Sequence, residues 1–235
     1  MFRFAVLIVS AAVASACIIH YLLTLLVFGS RKVAPAAGRP RIRRFRVWER
    51  AVHLATMVGF LALVVTGFAA SVWFEAALSG WWWVAHLIAA AVFTLGVTAL
   101  VLTWALDCRF APHDVEWARH FGGYLGGSAE VPAGRFNCGQ KGLFWTVLVL
   151  GLGVVASGLL RIWPVFDAEG QELVLLAHQY CALAYLALGI AHLYLGTIAN
   201  PGTWQSIFFG YVDANWLKHH HPLWYGQEEN EARRG

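Results

Sequence analysis

The sequence predicts an all-α membrane protein, a bundle of lipid-spanning helices, and three observations carry that reading. The 235-residue chain is 59% hydrophobic and only 13% charged, with a mean hydropathy of +0.60, whereas an average soluble domain carries about a quarter charged residues. Five apolar stretches, near Phe4–Phe28, Val47–Phe74, Trp81–Leu106, Gly142–Trp163 and Leu173–Asn200, each reach the roughly 20 residues that span a hydrocarbon core of about 30 Å. No segment shows the strand alternation or hairpin chemistry of a membrane barrel.

The first stretch has two readings. A signal peptide would have an apolar run of roughly 7–15 residues. Here the run is about 25 residues long, and a cut after Ala14-Ser15-Ala16 would leave a greasy stub from Cys17 to Phe28. A retained span, residues 1–30, is the better expectation. Its His20 has no partner at matching depth in the other stretches and reads as a hydrogen-bonded packing residue.

From Arg31 to Arg50, across the loop after the first stretch and the opening of the second, there are eight basic residues (Arg31, Lys32, Arg39, Arg41, Arg43, Arg44, Arg46, Arg50) and one acid, Glu49. Such a loop stays cytoplasmic by the positive-inside rule, where its partner is anionic lipid. It lies between two spans without aromatic interleaving, so nucleic acid is not the expected partner. With this basic loop (31–46) inside, the four-span core (47–200) follows, and the loop before the fourth stretch and the tail (201–235) are cytoplasmic. The N-terminus and the other two loops face out. Of 17 basic residues only Arg3 and Arg161 then lie outside, where the last external loop carries Asp167, Glu169 and Glu172.

An ionisable side chain within a lipid-spanning helix is costly and marks a functional site by default. The fifth stretch carries His178 and His192, fourteen residues apart. A rise of about 1.5 Å per residue separates them by roughly 21 Å, and about 100° per residue leaves them some 40° apart in azimuth. Both face one side. His53 lies six residues into the second stretch, at the inner end, and His86 five residues into the third, at the outer end. Depth alone pairs His86 with His178 and His53 with His192.

Two neutral imidazoles from opposite helices, with no carboxylate or thiolate nearby, suit bis-histidine haem b in a helix bundle. Two such pairs predict two haems. Zinc would want four ligands or an open position. The four cysteines (Cys17, Cys108, Cys138, Cys181) form no C-x-x-C or C-x-x-C-H pattern. That argues against covalent haem, a cysteine-held cluster and a stable Cys108–Cys138 disulfide on the reducing side. Small residues (Gly59, Thr66, Gly67, Gly96, Gly151, Gly153, Ser157, Gly158, Gly189, Gly196) leave room for a macrocycle, although close helix packing in membranes uses the same residues.

Further motifs carry a family likeness. Glu49-Arg50-Ala51-Val52-His53 opens the second stretch, and Gly134-Arg135-Phe136-Asn137-Cys138-Gly139-Gln140-Lys141 precedes Phe144-Trp145. Leu176-Ala177-His178 and His192-Leu193-Tyr194 occupy the fifth stretch. The tail carries Trp216-Leu217-Lys218-His219-His220-His221-Pro222-Leu223-Trp224-Tyr225. Over roughly residues 44–225 the sequence resembles the cytochrome b (gamma) subunit of membrane-bound respiratory formate dehydrogenase. The resemblance implies a four-helix core with two haems b, coupled through an iron–sulfur (beta) subunit to a molybdenum or tungsten catalytic (alpha) subunit. The chain itself is then an electron-transfer subunit and not the catalyst.

Two features depart from the pattern. The first helix has no counterpart in that four-helix core. The family often has an arginine three residues before the histidine of the third stretch, where this chain has Trp83; Arg161 is the candidate replacement contact to an outer haem propionate. Arg50 is the candidate for the inner propionate, or a plain positive-inside anchor. Asn137, Gly139 and Gln140 are a candidate quinone site, or a turn into the fourth helix. His219–His221 reads as a surface or haem-edge contact, with metal binding as the alternative.

The mechanism expected from these readings runs inward. Electrons enter from an external iron–sulfur partner at the His86–His178 haem, cross to the His53–His192 haem and reduce quinone near the cytoplasmic face of a bacterial inner membrane. Trp81, Trp82 and Trp83 form an aromatic belt where that partner docks. Two alternatives stay open: a cytochrome b serving hydrogenase or another molybdenum oxidoreductase, and a haem-free transporter with histidines along a proton or metal path.

Overall fold

A computed structural model of the chain describes residues 1–28, 41–74, 77–123 and 131–234. Arg31, Lys32 and Arg39 of the basic loop lie outside the described residues. Among those described, five helices are long and apolar enough to cross a membrane: Phe2–Val27, Val47–Phe74, Gly80–Trp104, Cys138–Ile162 and Ala168–Thr197. They belong to α1 (Phe2–Phe28), α2 (Val47–Phe68), continued by a π-helical turn over Ala69–Phe74, α3 (Gly80–Trp104), α5 (Cys138–Ile162) and α6 (Ala168–Thr197). Shorter elements are β1 (Arg41–Arg43), α4 (Pro112–Arg119), α7 (Trp204–Phe208), β2 (Tyr211–Asp213), α8 (Ala214–His220) and α9 (Pro222–Arg234).

The helices start where capping chemistry is available. Glu49 accepts from the Arg46 amide at 2.7 Å, closing the first turn of α2. Asn137 and Gln140 cap α5 reciprocally: the Asn137 side-chain oxygen accepts from the Gln140 amide at 2.9 Å, and the Gln140 oxygen accepts from the Asn137 amide at 3.1 Å. Asp167 likewise accepts from the Gly170 amide at 2.9 Å before α6. These caps draw polar residues into the first turns, so α5 begins at Cys138 and α6 at Ala168, several residues before their apolar runs.

The chain divides into two compact units. The first comprises Met1–Ala16, Ala51–Leu102 and Trp145–His192. Its helices present apolar side chains outward, including Leu61, Leu95, Leu102, Val149 and Leu152. Inside, small residues bring backbones together. A methyl group at Gly59 would stand 3.0 Å from the Phe93 amide and 3.2 Å from the Ala89 carbonyl, so α2 and α3 touch there without side chains between them. Phe2 of α1 stacks on Phe68 at 6.3 Å and meets Tyr180 edge-on at 5.7 Å.

The second unit comprises Cys17–Arg50, Thr103–Phe144 and Leu193–Gly235. Here β1 and β2 pair antiparallel, with Ile42 opposite Val212. Asp213 caps α8 by accepting from the Asn215 and Trp216 amides. Val212, Trp216, Leu217 and Trp224 form a core with Ile42 and Tyr225 against it. Gly210, at φ +85°, turns so that its carbonyl accepts from the Arg44 and Phe45 amides. A side chain there would meet the Phe45 carbonyl at 2.9 Å. His20 of α1 hydrogen-bonds the Tyr194 hydroxyl of α6 at 2.6 Å, the packing role read from the sequence. All four cysteines are free.

Candidate functional site

The four intramembrane histidines all fall in the first unit and meet as the depth argument expects. The rings of His53 and His192 have centres 6.1 Å apart, and those of His86 and His178 are 6.4 Å apart. An imidazole nitrogen sits about 1.1 Å from its ring centre and a metal–imidazole bond is about 2.0–2.1 Å long, so two rings facing across one ion have centres roughly 6.3 Å apart. Both pairs match that spacing. Among the described residues no group of three or more His, Cys, Asp or Glu converges on a metal position. Each pair brings two imidazoles to the spacing at which they would suit one metal ion carried by a group with its own further donors, such as a porphyrin.

The His86–His178 pair is also fixed in its tautomer. The Thr66 hydroxyl donates to the Ala62 carbonyl at 2.7 Å, and its oxygen lies 2.8 Å from His86 Nδ1. With its only proton committed, Thr66 accepts from an Nδ1–H. Ser157 repeats the arrangement: it donates to the Gly153 carbonyl at 2.6 Å and lies 3.0 Å from His178 Nδ1. That same Nδ1 lies 3.2 Å from the Val154 carbonyl, which can only accept. Nδ1 therefore carries the proton in both rings, and Nε2 keeps the lone pair that a metal takes. A methyl group at Gly67 would stand 3.3 Å from His86 Cε1, and one at Gly158 would stand 3.5 Å from His178 Cε1, so these glycines give the rings their clearance.

The sequence treated Thr66 and Ser157 only as small residues making room. They lie 20 and 21 residues from their histidines, on other helices, and no sequence spacing signals the pairing.

The remaining candidates are engaged as follows. Arg161 donates to the side-chain and backbone oxygens of Gln171, at 3.2 and 3.3 Å. In the second unit, Arg50 donates through Nε to the Ile207 carbonyl at 2.9 Å and through Nη2 to the Phe208 carbonyl. The Asn137 and Gln140 oxygens are taken up by the reciprocal cap, and Gly139 faces the ring of Trp117, where a methyl group would stand at 2.9 Å.

The second unit also holds a polar network that sequence reasoning missed. Arg135 bonds Glu49 at 2.8 Å, Asp107 at 2.6 Å and the Arg44 carbonyl at 3.1 Å; Trp104 donates to Glu49 at 2.7 Å. His221 is buried, not on the surface: its Nδ1 donates to the Gly134 carbonyl at 2.7 Å, which leaves Nε2 to accept from Arg44 at 3.3 Å. Burial, with the Arg44 charge beside it, holds its pKa well below the usual histidine value, so the clasp persists as a neutral imidazole. His220 stacks on Trp216 instead, at 4.5 Å. Burial, with Asp107 adding to it, pushes the Cys108 thiol up to about 12, so it stays protonated.

Apolar helices enclosing two facing imidazole pairs at two heights define a membrane-bound cytochrome of the b type. The chain belongs to the prokaryotic cytochrome b561 family, whose pattern matches residues 44–210. The ends of that match meet in the second unit, where the Arg44 amide donates to the Gly210 carbonyl at 2.8 Å. The chain is thus a multi-pass membrane protein, with haem b and electron transport following from the family.

It is similar to the cytochrome b556(fdo) subunit of formate dehydrogenase from Escherichia coli K12, at 29% identity over 117 residues, 48% of this chain and 54% of that protein. It is similar to the formate dehydrogenase cytochrome b556 subunit of Haemophilus influenzae, at 28% over 123 residues, 49% of this chain and 51% of that one. The nitrate-inducible cytochrome b556(Fdn) subunit of Escherichia coli K12 is 26% identical over 155 residues, 59% of this chain and 70% of that one. The chain spans about half the length of the first two of these relatives.

Proposed function

We propose that this chain is the membrane-anchoring electron-transfer subunit of a formate dehydrogenase, carrying electrons from an external iron–sulfur partner to membrane quinone. The observation that supports this most is the pair of imidazole pairs at 6.1 and 6.4 Å, set about 21 Å apart along α6. His86 and His178 hold the outer haem, and His53 and His192 the inner one. Bound there, haem supplies a one-electron iron couple. The protein provides the axial imidazoles, fixes the outer tautomers through Thr66 and Ser157, and encloses both levels in apolar side chains.

The relatives, cytochrome subunits of formate dehydrogenase, support the formate dehydrogenase assignment, and the family resemblance implies the iron–sulfur and molybdenum or tungsten subunits, placed on the periplasmic side. Basic residues on the loop before α2 support an N-terminus outside the inner membrane and a cytoplasmic C-terminus. Quinone is reduced near the cytoplasmic face, with Asn137, Gly139 and Gln140 as candidate contacts and Arg50 and Arg161 as candidate propionate contacts. Moving electrons inward works against about 2.3 kcal/mol per charge for each 100 mV of membrane potential, which a low-potential donor such as formate can drive.

Potentiometric titration of the purified chain, followed by its redox difference spectrum, tests the reading. Two b-type components and two non-covalent haems per chain are expected. A chain without any b-type signal would refute it and favour a transporter. Thr66→Val is expected to move the outer component to a more positive potential by some tens of millivolts, a tenfold change in a one-electron equilibrium being about 59 mV. Ser157→Ala should move it less, because the Val154 carbonyl still accepts from His178 Nδ1 at 3.2 Å. Losing the acceptor for Nδ1–H makes the ligand less basic and ferric iron less favoured. The inner component should stay in place, and movement of both together would contradict the assignment.

A further inference from the structure

Each helix that supplies a histidine also supplies one aromatic ring two turns further into the bilayer. Phe60 follows His53 by seven residues, Phe93 follows His86 by seven, and Tyr185 lies seven from both His178 and His192. Seven residues rise about 10.5 Å and turn nearly back to the same face. The three rings therefore reach the interior midway between the two histidine levels, and there they pack on one another. Phe60 lies 6.1 Å from Phe93 and 6.2 Å from Tyr185, while Phe93 meets Tyr185 edge-on at 5.4 Å.

The backbone is shaped around this layer. A methyl group on Gly189 would press on Phe60 at 2.9 Å, and one on Gly151 would meet the Tyr185 hydroxyl at 3.1 Å. Phe93 and Tyr185 are both buried. The one polar group of the layer, the Tyr185 hydroxyl, donates to the Val147 carbonyl of α5, so its proton is committed to a backbone acceptor. Polar atoms resume on either side: His53 and His192 at one level, and His86, His178, Thr66 and Ser157 at the other.

We propose that Phe60, Phe93 and Tyr185 form a dry septum that lets electrons, but not protons, pass between the two histidine levels. The proposal rests on the two-haem reading above. Haem held by the histidines at each level would supply the electron donor and acceptor, and the three rings would separate them without themselves changing oxidation state. A proton needs a continuous file of water or titratable groups, and tightly packed rings leave no room for one. Each proton leaking along the bundle would dissipate the work done by an electron moved against the same field.

The full chain reconstituted into liposomes with an internal pH dye and an imposed potassium diffusion potential tests this. Wild-type vesicles should be as proton-tight as protein-free ones. Phe93→Ala and Tyr185→Ala should raise proton entry at least tenfold while both haems are retained by pyridine haemochrome assay. Phe93→Leu and Tyr185→Phe, which keep an apolar filling, should stay tight. A leaky wild type, or alanine variants that keep both haems and remain tight, would overturn the proposal. If the alanine variants do not fold, Phe93→Val decides: measurable leakage supports the septum and tightness overturns it. A wild type with fewer than two haems undoes the two-haem reading separately, whatever its proton permeability.

Discussion

His178→Ala is expected to leave one b-type haem per chain, and His192→Ala to leave the other. In the proposed arrangement His178 pairs with His86 at 6.4 Å and His192 with His53 at 6.1 Å, so truncating one ring would leave that haem with a single protein ligand. The levels are independent because about 21 Å of α6 separates them. The Ser157 hydroxyl on α5 that orients His178 otherwise bonds the Gly153 and Val154 carbonyls of its own helix. Haem content should fall by about half in each variant, and the lost spectral component should differ between them. His20→Ala is the control: its imidazole bonds Tyr194 at 2.6 Å and belongs to neither pair, so both haems should stay. Loss of both haems from either single variant, or of neither, would contradict the arrangement.

The spans and the depth pairing were readable because they rest on two strong signals, apolar run length and helix rise. Alternating helix direction and rise matched His86 to His178 and His53 to His192, and the rings do pair that way. What escaped the sequence depends on contacts between distant segments. A hydroxyl such as Thr66 or Ser157 is common in membrane helices, where it bonds its own backbone, so its second bond to a histidine is invisible until the helices are placed. His221 sits in a run of three histidines whose residue types are identical. Only the docking of α8 and the 131–136 segment distinguishes the buried one from its stacked neighbour His220. The short elements β1, α4, α7 and β2 were obscured by the long apolar runs around them. They are held by caps and single turns rather than by periodicity.

Asp114→Ala is expected to cost about 3–5 kcal/mol, the penalty for breaking a buried ion pair from one side. Asp114 and Lys141 meet at 2.7 Å with both side chains 4% exposed, and nothing in the sequence joined residues 27 positions apart. The carboxylate also accepts from the Ala111 amide at 2.7 Å, closing the first turn of α4. Removing it strands a buried ammonium and opens a helix cap together. Arg233–Glu229 on α9 is the useful contrast: the same 2.7 Å separation, but side chains 73% and 46% exposed. Its loss should cost only about 0.3–0.5 kcal/mol, because water already screens the pair. Denaturant unfolding of the detergent-solubilised chain distinguishes the two cases. An apolar double replacement, Asp114→Leu with Lys141→Met, should recover most of the loss, since neither charge is then left buried alone. Equal and small effects of Asp114→Ala and Glu229→Ala would show that water reaches the Asp114–Lys141 pair.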